Sequence, residues 1–246
     1  MPPHSPLGLL DRFVHGPAPC AGLVQPALPL QGLTVLAVED SRYSSDALRL
    51  MCQRSGARLR RVDCLQTAYA HLHVYCPDVI LIDIGLPDGR GDLLIRDIAN
   101  QRPEGPVIIA ISGDPDTRTV AMQAGAQGFL DKPFPALAKF QDAILRHLPD
   151  RADRNPATTA DQAILPDPLA LQNDLEHAAA LVTASLTPVQ ARYLAGFVAG
   201  IAQSAYDPAL ARAAQNIAGP DGLDRLGQLL ASRIRTGKNP FSGDGP

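Results

Sequence analysis

The run V-I-L-I-D-I-G-L-P at residues 79–87 decides the reading of this chain. Val79 to Ile82 are four consecutive β-favouring apolar residues, the pattern of a strand covered on both faces. Asp83 closes the run, and Gly85 and Pro87 open a loop. A carboxylate at the end of such a strand sits where open α/β sheets bind their ligands.

Working outward, the same pattern recurs. Leu33 to Val38 is a short apolar strand ending in Glu39-Asp40, followed by a helix with Leu48, Met51 and Cys52 on one face. Leu59 to Val62 is a weaker, more basic strand, expected at an edge, and Thr67 to Tyr75 reads as helix. Downstream come a helix around Leu93–Asn100, the strand Val107–Ile111 closed by Ser112, and a helix from Asp116 to Ala124 stopped by Gly125. Gly128–Leu130 is a last short strand, followed by Lys132 and an amphipathic helix over Ala136–Leu148. Five βα units predict a doubly wound five-stranded parallel sheet, with its strand ends at one rim. Glu39, Asp40, Asp83, Ser112 and Lys132 then converge. Clustered carboxylates stay ionised only beside a cation, and an all-oxygen set suits Mg²⁺. Asp83, central in the sheet, is the candidate nucleophile for a phosphoryl group. Lys132 is a candidate counter-charge, and Ser112 a hydroxyl donor to a phosphoryl oxygen.

The flanks differ. Residues 1–31 hold seven prolines and are expected to be a flexible extension. The fold is expected over 32–149, with a polar linker over 150–166 and a small all-α unit over 167–237 before a short flexible tail at 238–246. Asp167-Pro168, Thr187-Pro188 and Asp207-Pro208 each pair a capping oxygen with proline at the first helical position. A further helix is expected from Leu223 to Arg235. Leu171, Leu175, Ala178 and Val182 form one apolar stripe, and Leu223, Leu226, Leu230 and Ile234 another. Gly196 and Gly200 are a small pair that permits close helix packing.

Net charge is −3, so no global excess draws the chain to nucleic acid or to anionic lipid. Cys20, Cys52, Cys64 and Cys76 form no Cys-x-x-Cys pair, which favours reduced thiols and a cytoplasmic setting over a disulfide framework or zinc site. No run is long and apolar enough for a bilayer span. His71, His73, His147 and His177 lack the spacing or context of a phosphotransfer or metal site.

With these residues in hand, the segment from about Leu33 to Leu148 resembles the receiver domain of bacterial two-component response regulators. The matching pieces are V-L-A-V-E-D (35–40), V-I-L-I-D-I-G-L-P (79–87) with Gly91 beyond it, V-I-I-A-I-S-G (107–113) and G-A-Q-G-F-L-D-K-P-F (125–134). The resemblance implies phosphorylation of Asp83 by a histidine kinase or histidine phosphotransfer protein. It implies Mg²⁺ held by Asp40, Asp83 and the Gly85 carbonyl, with Glu39 acting directly or through water. It implies a cis Lys132–Pro133 peptide and a switch in which Ser112 moves and Phe129 turns inward. It also implies that the chain is a phosphoacceptor rather than a general enzyme, catalysing only its own Mg²⁺-dependent phosphorylation and dephosphorylation. Signalling is then expected through the Asp114–His147 face, with phosphorylation-dependent homodimerisation as one outcome. Gly113 departs from the family, which more often has alanine there.

For the C-terminal helices, a protein-interaction or dimerisation module is favoured over a DNA-binding output. L-T-P-V-Q-A-R-Y-L-A-G-F-V-A-G (186–200) faintly resembles the opening of LuxR-type helix-turn-helix domains. However, Asp207–Gly219, where the recognition helix should lie, holds one basic residue, Arg212.

Overall fold

The computed structural model describes residues 27–102, 104–148, 164 and 166–237. Residues 1–26 of the expected extension, nearly all of the linker and the tail lie outside the described residues.

The first unit alternates strands and helices. β1 (Thr34–Val38), β2 (Arg58–Val62), β3 (Val79–Asp83), β6 (Val107–Ser112) and β7 (Gly128–Asp131) form one parallel sheet in the order β2-β1-β3-β6-β7. β4 (Gly85–Leu86) and β5 (Gly89–Arg90) make a two-residue antiparallel ladder beyond β3. The helices are α1 (Arg42–Ser55), α2 (Leu65–Val74), α3 (Gly91–Gln101), α4 (Thr117–Ala124) and α5 (Leu137–Leu145). Every residue of β3 and β6 is buried, whereas basic β2 is largely exposed at the edge, as its composition predicts. Two apolar layers sandwich the sheet. Leu36, Ile80 and Ile82 face α2–α4 on one side; Val35, Leu81 and Ile109 face α1 and α5 on the other.

Three local differences from the sequence reading have identifiable causes. Leu30 is fully buried, and its amide donates to the Ser55 carbonyl (2.9 Å), so this residue of the extension packs into the core beside α1. Helix α2 starts at Leu65, because the Asp88 carboxylate accepts from the Leu65 and Gln66 amides (2.8 and 2.9 Å). That cap comes from a loop over twenty residues away, so no local signal announces it. Helix α5 ends at Leu145; the amides of His147 and Leu148 bond three residues back, a tightened final turn.

The second unit is α6 (Pro168–Val182), α7 (Pro188–Ser204), α8 (Pro208–Gln215) and α9 (Gly222–Gly237). All three capping residues act as expected: Asp167, Thr187 and Asp207 accept from amides of their own first turns, and Thr187 forms a reciprocal box with Gln190. Leu175, Ala178, Leu194, Val198, Leu226 and Leu230 fill its core. This unit also packs on the first, α6 and α7 lying against α1 and α7 against β4.

Candidate functional site

The rim at the carboxyl ends of the strands gathers the acidic residues. Glu39 and Asp40 leave β1, Asp83 ends β3, Ser112 ends β6 and Lys132 follows β7. Glu39, Asp83, Ser112 and Lys132 are buried and Asp40 is half-buried. One carboxylate oxygen from each of Glu39, Asp40 and Asp83 lies within 4.8 Å of the other two. The Lys132 ammonium sits among them, 2.7 Å from Asp83 Oδ2 and 2.8 and 3.0 Å from the two Glu39 oxygens. The Lys132–Pro133 peptide is cis.

The local backbone explains the placement. The Gly85 amide donates to Asp83 Oδ1 (3.1 Å) and the Ser41 amide to Glu39 Oε1 (3.2 Å), so both carboxylates are held by the turns that follow their strands. At Gly91 a Cβ would stand 2.0 Å from the Asp83 carbonyl oxygen; α3 starts that close to the end of β3 only because the residue is glycine. Ser112 Oγ accepts from the Asp114 amide (3.0 Å), which turns the chain away from the rim. Phe129 is half-buried, with the Arg118 guanidinium 4.4 Å from its ring centroid and bonded to Asp131 (2.7 Å).

The electrostatics follow from three carboxylates meeting one ammonium in a buried space. Burial alone would lower the Lys132 pKa, but the charges of Asp83 and Glu39 outweigh it and hold the group protonated far above neutrality. Burial pushes Glu39 upward; Lys132 opposes this, and the charges of Asp83 and Asp40 add to it. Asp40 is pushed up to about 7, first by burial and then by the charge of Asp83, against the opposing pull of a hydrogen bond from Tyr193. With all three carboxylates ionised, the site carries two negative charges more than Lys132 neutralises. A hard divalent cation among these oxygens balances that excess, so the residues present fit Mg²⁺.

The rim also holds residues that sequence reasoning did not select. The Tyr193 hydroxyl of α7 donates to Asp40 Oδ2 (2.6 Å). On α6, Asp174 is 2% exposed and accepts from Ser41 Oγ (2.9 Å) and from the Arg42 and Tyr43 amides (3.0 and 2.9 Å). It therefore caps α1 from another part of the chain. An aspartate beside Leu171 and Leu175 on the apolar stripe was the available signal; Tyr193 offered none. His177, set aside in the sequence, is exposed and stands edge-on to Phe197 (5.6 Å).

Comparison with known proteins matches this geometry. The family model of the response regulator receiver domain covers residues 35–144. Over 171 residues the chain is 31% identical to the KDP operon transcriptional regulatory protein KdpE of Escherichia coli, spanning 65% of this chain and 70% of KdpE. It is 28% identical over 119 residues to the virulence transcriptional regulatory protein PhoP of Salmonella typhimurium, covering 47% of this chain and about half (53%) of PhoP. Among solved structures, the receiver domain of the sensor histidine kinase PA1611 of Pseudomonas aeruginosa, with a magnesium ion in its active site cleft, is 28% identical with a TM-score of 0.43. It covers 47% of this chain and 96% of that one. No helix among the described residues is long and apolar enough to cross a membrane. The sheet order, the acidic rim and the KdpE identity agree: this chain belongs to the response regulators of two-component signalling, with a receiver domain at residues 35–144 followed by a helical C-terminal region.

Proposed function

We propose that Asp83 accepts a phosphoryl group from the phosphohistidine of a histidine kinase or phosphotransfer protein. The observation that carries this is the Asp83 carboxylate at the end of the central strand, 2.7 Å from a buried ammonium and clustered with two further carboxylates. In the transfer, an Asp83 oxygen attacks phosphorus, the P–N bond to the donor breaks, and the imidazole leaves with the electron pair. Lys132 neutralises charge on the phosphoryl oxygens as a point cation. Glu39, Asp40, Asp83 and the Gly85 carbonyl would hold Mg²⁺, which supplies charge neutralisation at the transferring group. Ser112 exchanges its bond from the Asp114 amide for a phosphoryl oxygen, and Phe129 turns into the vacated space, reshaping the Asp114–His147 face.

For the helical region, residues 167–237, an interaction module remains the favoured reading over DNA binding. It holds five arginines against six acidic residues, and Arg233 is already committed to Asp207 (2.6 Å). Phosphate contact dominates DNA affinity, and this surface offers little of it. No strand follows β7 among the described residues.

The test of the phosphoacceptor reading is labelling by acetyl phosphate, followed on a phosphate-affinity gel. A shifted band is expected with Mg²⁺, absent with EDTA, and removed by hydroxylamine, which cleaves acyl phosphates. A band that persists in EDTA or resists hydroxylamine would place the phosphate elsewhere.

A further inference from the structure

The C-terminal bundle does not sit beside the acidic pocket; it lies over it. Four contacts from two helices reach the rim. Tyr193 donates to Asp40 (2.6 Å), and Asp174 takes three hydrogen bonds from the first residues of α1. Of the two glycines of α7, Gly200 is buried toward the pocket, whereas Gly196 is exposed with open space beside it. A Cβ at Gly200 would stand 3.8 and 3.9 Å from Cδ and Nζ of Lys132, so this turn of α7 lies over the Lys132 side chain with room for a methyl group between them. The Gln203 side chain fills the space beside Gly113, where a Cβ would meet its Oε1 at 2.4 Å. Glycine at 113 thus makes room for α7. Asp83 is left 7% exposed beneath this cover.

From this arrangement we infer that α6 and α7 form a lid on the phosphoacceptor pocket, latched by Tyr193 on Asp40 and by Asp174 on α1, which must lift before a donor reaches Asp83. The inference rests on the phosphoacceptor reading of Asp83. A donor imidazole is carried on another protein and must enter along the rim, the space α7 occupies. In the closed lid Tyr193 takes one lone pair of Asp40 Oδ2 and fixes how that carboxylate is turned toward the pocket. Closing and loading are therefore linked: whatever binds the open pocket better opens the lid, and a weaker lid favours loading. The bundle is then coupled to the pocket by direct contact, not only through the Asp114–His147 face.

A hydrogen bond to a charged carboxylate is worth about tenfold or more in an equilibrium. Full-length Tyr193→Phe removes the latch at nearly constant volume, and Asp174→Ala removes the second latch on a different helix. With acetyl phosphate and Mg²⁺, an Asp83 oxygen attacks phosphorus, the P–O bond to the acetyl group breaks and acetate leaves. Initial labelling in each variant is expected to rise about tenfold over the wild type. Hydrogen exchange of the α7 amides should quicken in parallel. Labelling of both variants at or below the wild-type rate, with unchanged α7 exchange, overturns the lid and makes Tyr193 a support for Asp40. If no protein labels at all, the phosphoacceptor reading falls; exchange alone then decides the lid, faster α7 amides in the variants sustaining it and unchanged amides removing it.

Discussion

Lys132→Met is expected to slow acetyl-phosphate labelling at least about 100-fold, the usual cost of removing one charge donor from a transition state. It should also destabilise the metal-free protein by about 3–5 kcal/mol near neutral pH, because it strands Glu39 and Asp83 in a buried space without their cation. The two effects separate by measurement. Urea denaturation reads the second, and Mg²⁺ should restore part of it by supplying positive charge among the same oxygens. Labelling should stay slow even at saturating Mg²⁺, since the missing ammonium serves the phosphoryl oxygens themselves. In the wild type the raised Lys132 pKa means that its ion pairs contribute fully below the ordinary lysine range and are lost only in strongly alkaline solution. A variant that labels at the wild-type rate would remove Lys132 from the chemistry.

The second large effect is a pH-dependent response to Mg²⁺. Asp40, pushed up to about 7 by burial and by the charge of Asp83, keeps its proton in the folded metal-free protein where the unfolded chain has lost it. A raised carboxylate pKa gives stability that is present below the unfolded value and lost as pH rises through the folded one. Between about pH 4 and pH 7 the metal-free protein should therefore lose stability, on the order of 2 kcal/mol, and Glu39 shifts the same way. Mg²⁺ binds the ionised carboxylates and reverses the trend. Thermal melts should show a Mg²⁺ shift of several degrees at about pH 8 and little at about pH 5. Asp40→Asn should flatten the metal-free pH dependence. Equal Mg²⁺ shifts at the two pH values would contradict a carboxylate site.

The sheet was legible because its central strands are apolar on both faces. Val79–Ile82 and Val107–Ile111 could be little else, and each ends at a polar residue on the rim. The site followed from topology: once the strands are parallel, Glu39, Asp40, Asp83, Ser112 and Lys132 must share an edge. The helical unit was legible from its caps, since a capping oxygen before proline is a purely local signal. Its docking was not. Tyr193 and Asp40 are 153 residues apart, and Asp174 and Ser41 are 133 apart. A tyrosine on a half-buried helix looks the same whether it faces water or a carboxylate. The pairing of Gly196 with Gly200 pointed to close helix packing; instead Gly196 is exposed with open space beside it, and Gly200 faces the side chain of Lys132 rather than another helix. Gly113 likewise read only as a departure from alanine, and its use becomes visible only with Gln203 beside it.

Intact-mass spectrometry of the wild type and Asp83→Asn, each incubated with acetyl phosphate and Mg²⁺, puts the central assignment to its most direct trial. One phosphoryl adduct on the wild type and none on the variant is the expected result. An adduct of equal abundance on Asp83→Asn would mean that another residue takes the phosphate and that the acidic rim has a different purpose.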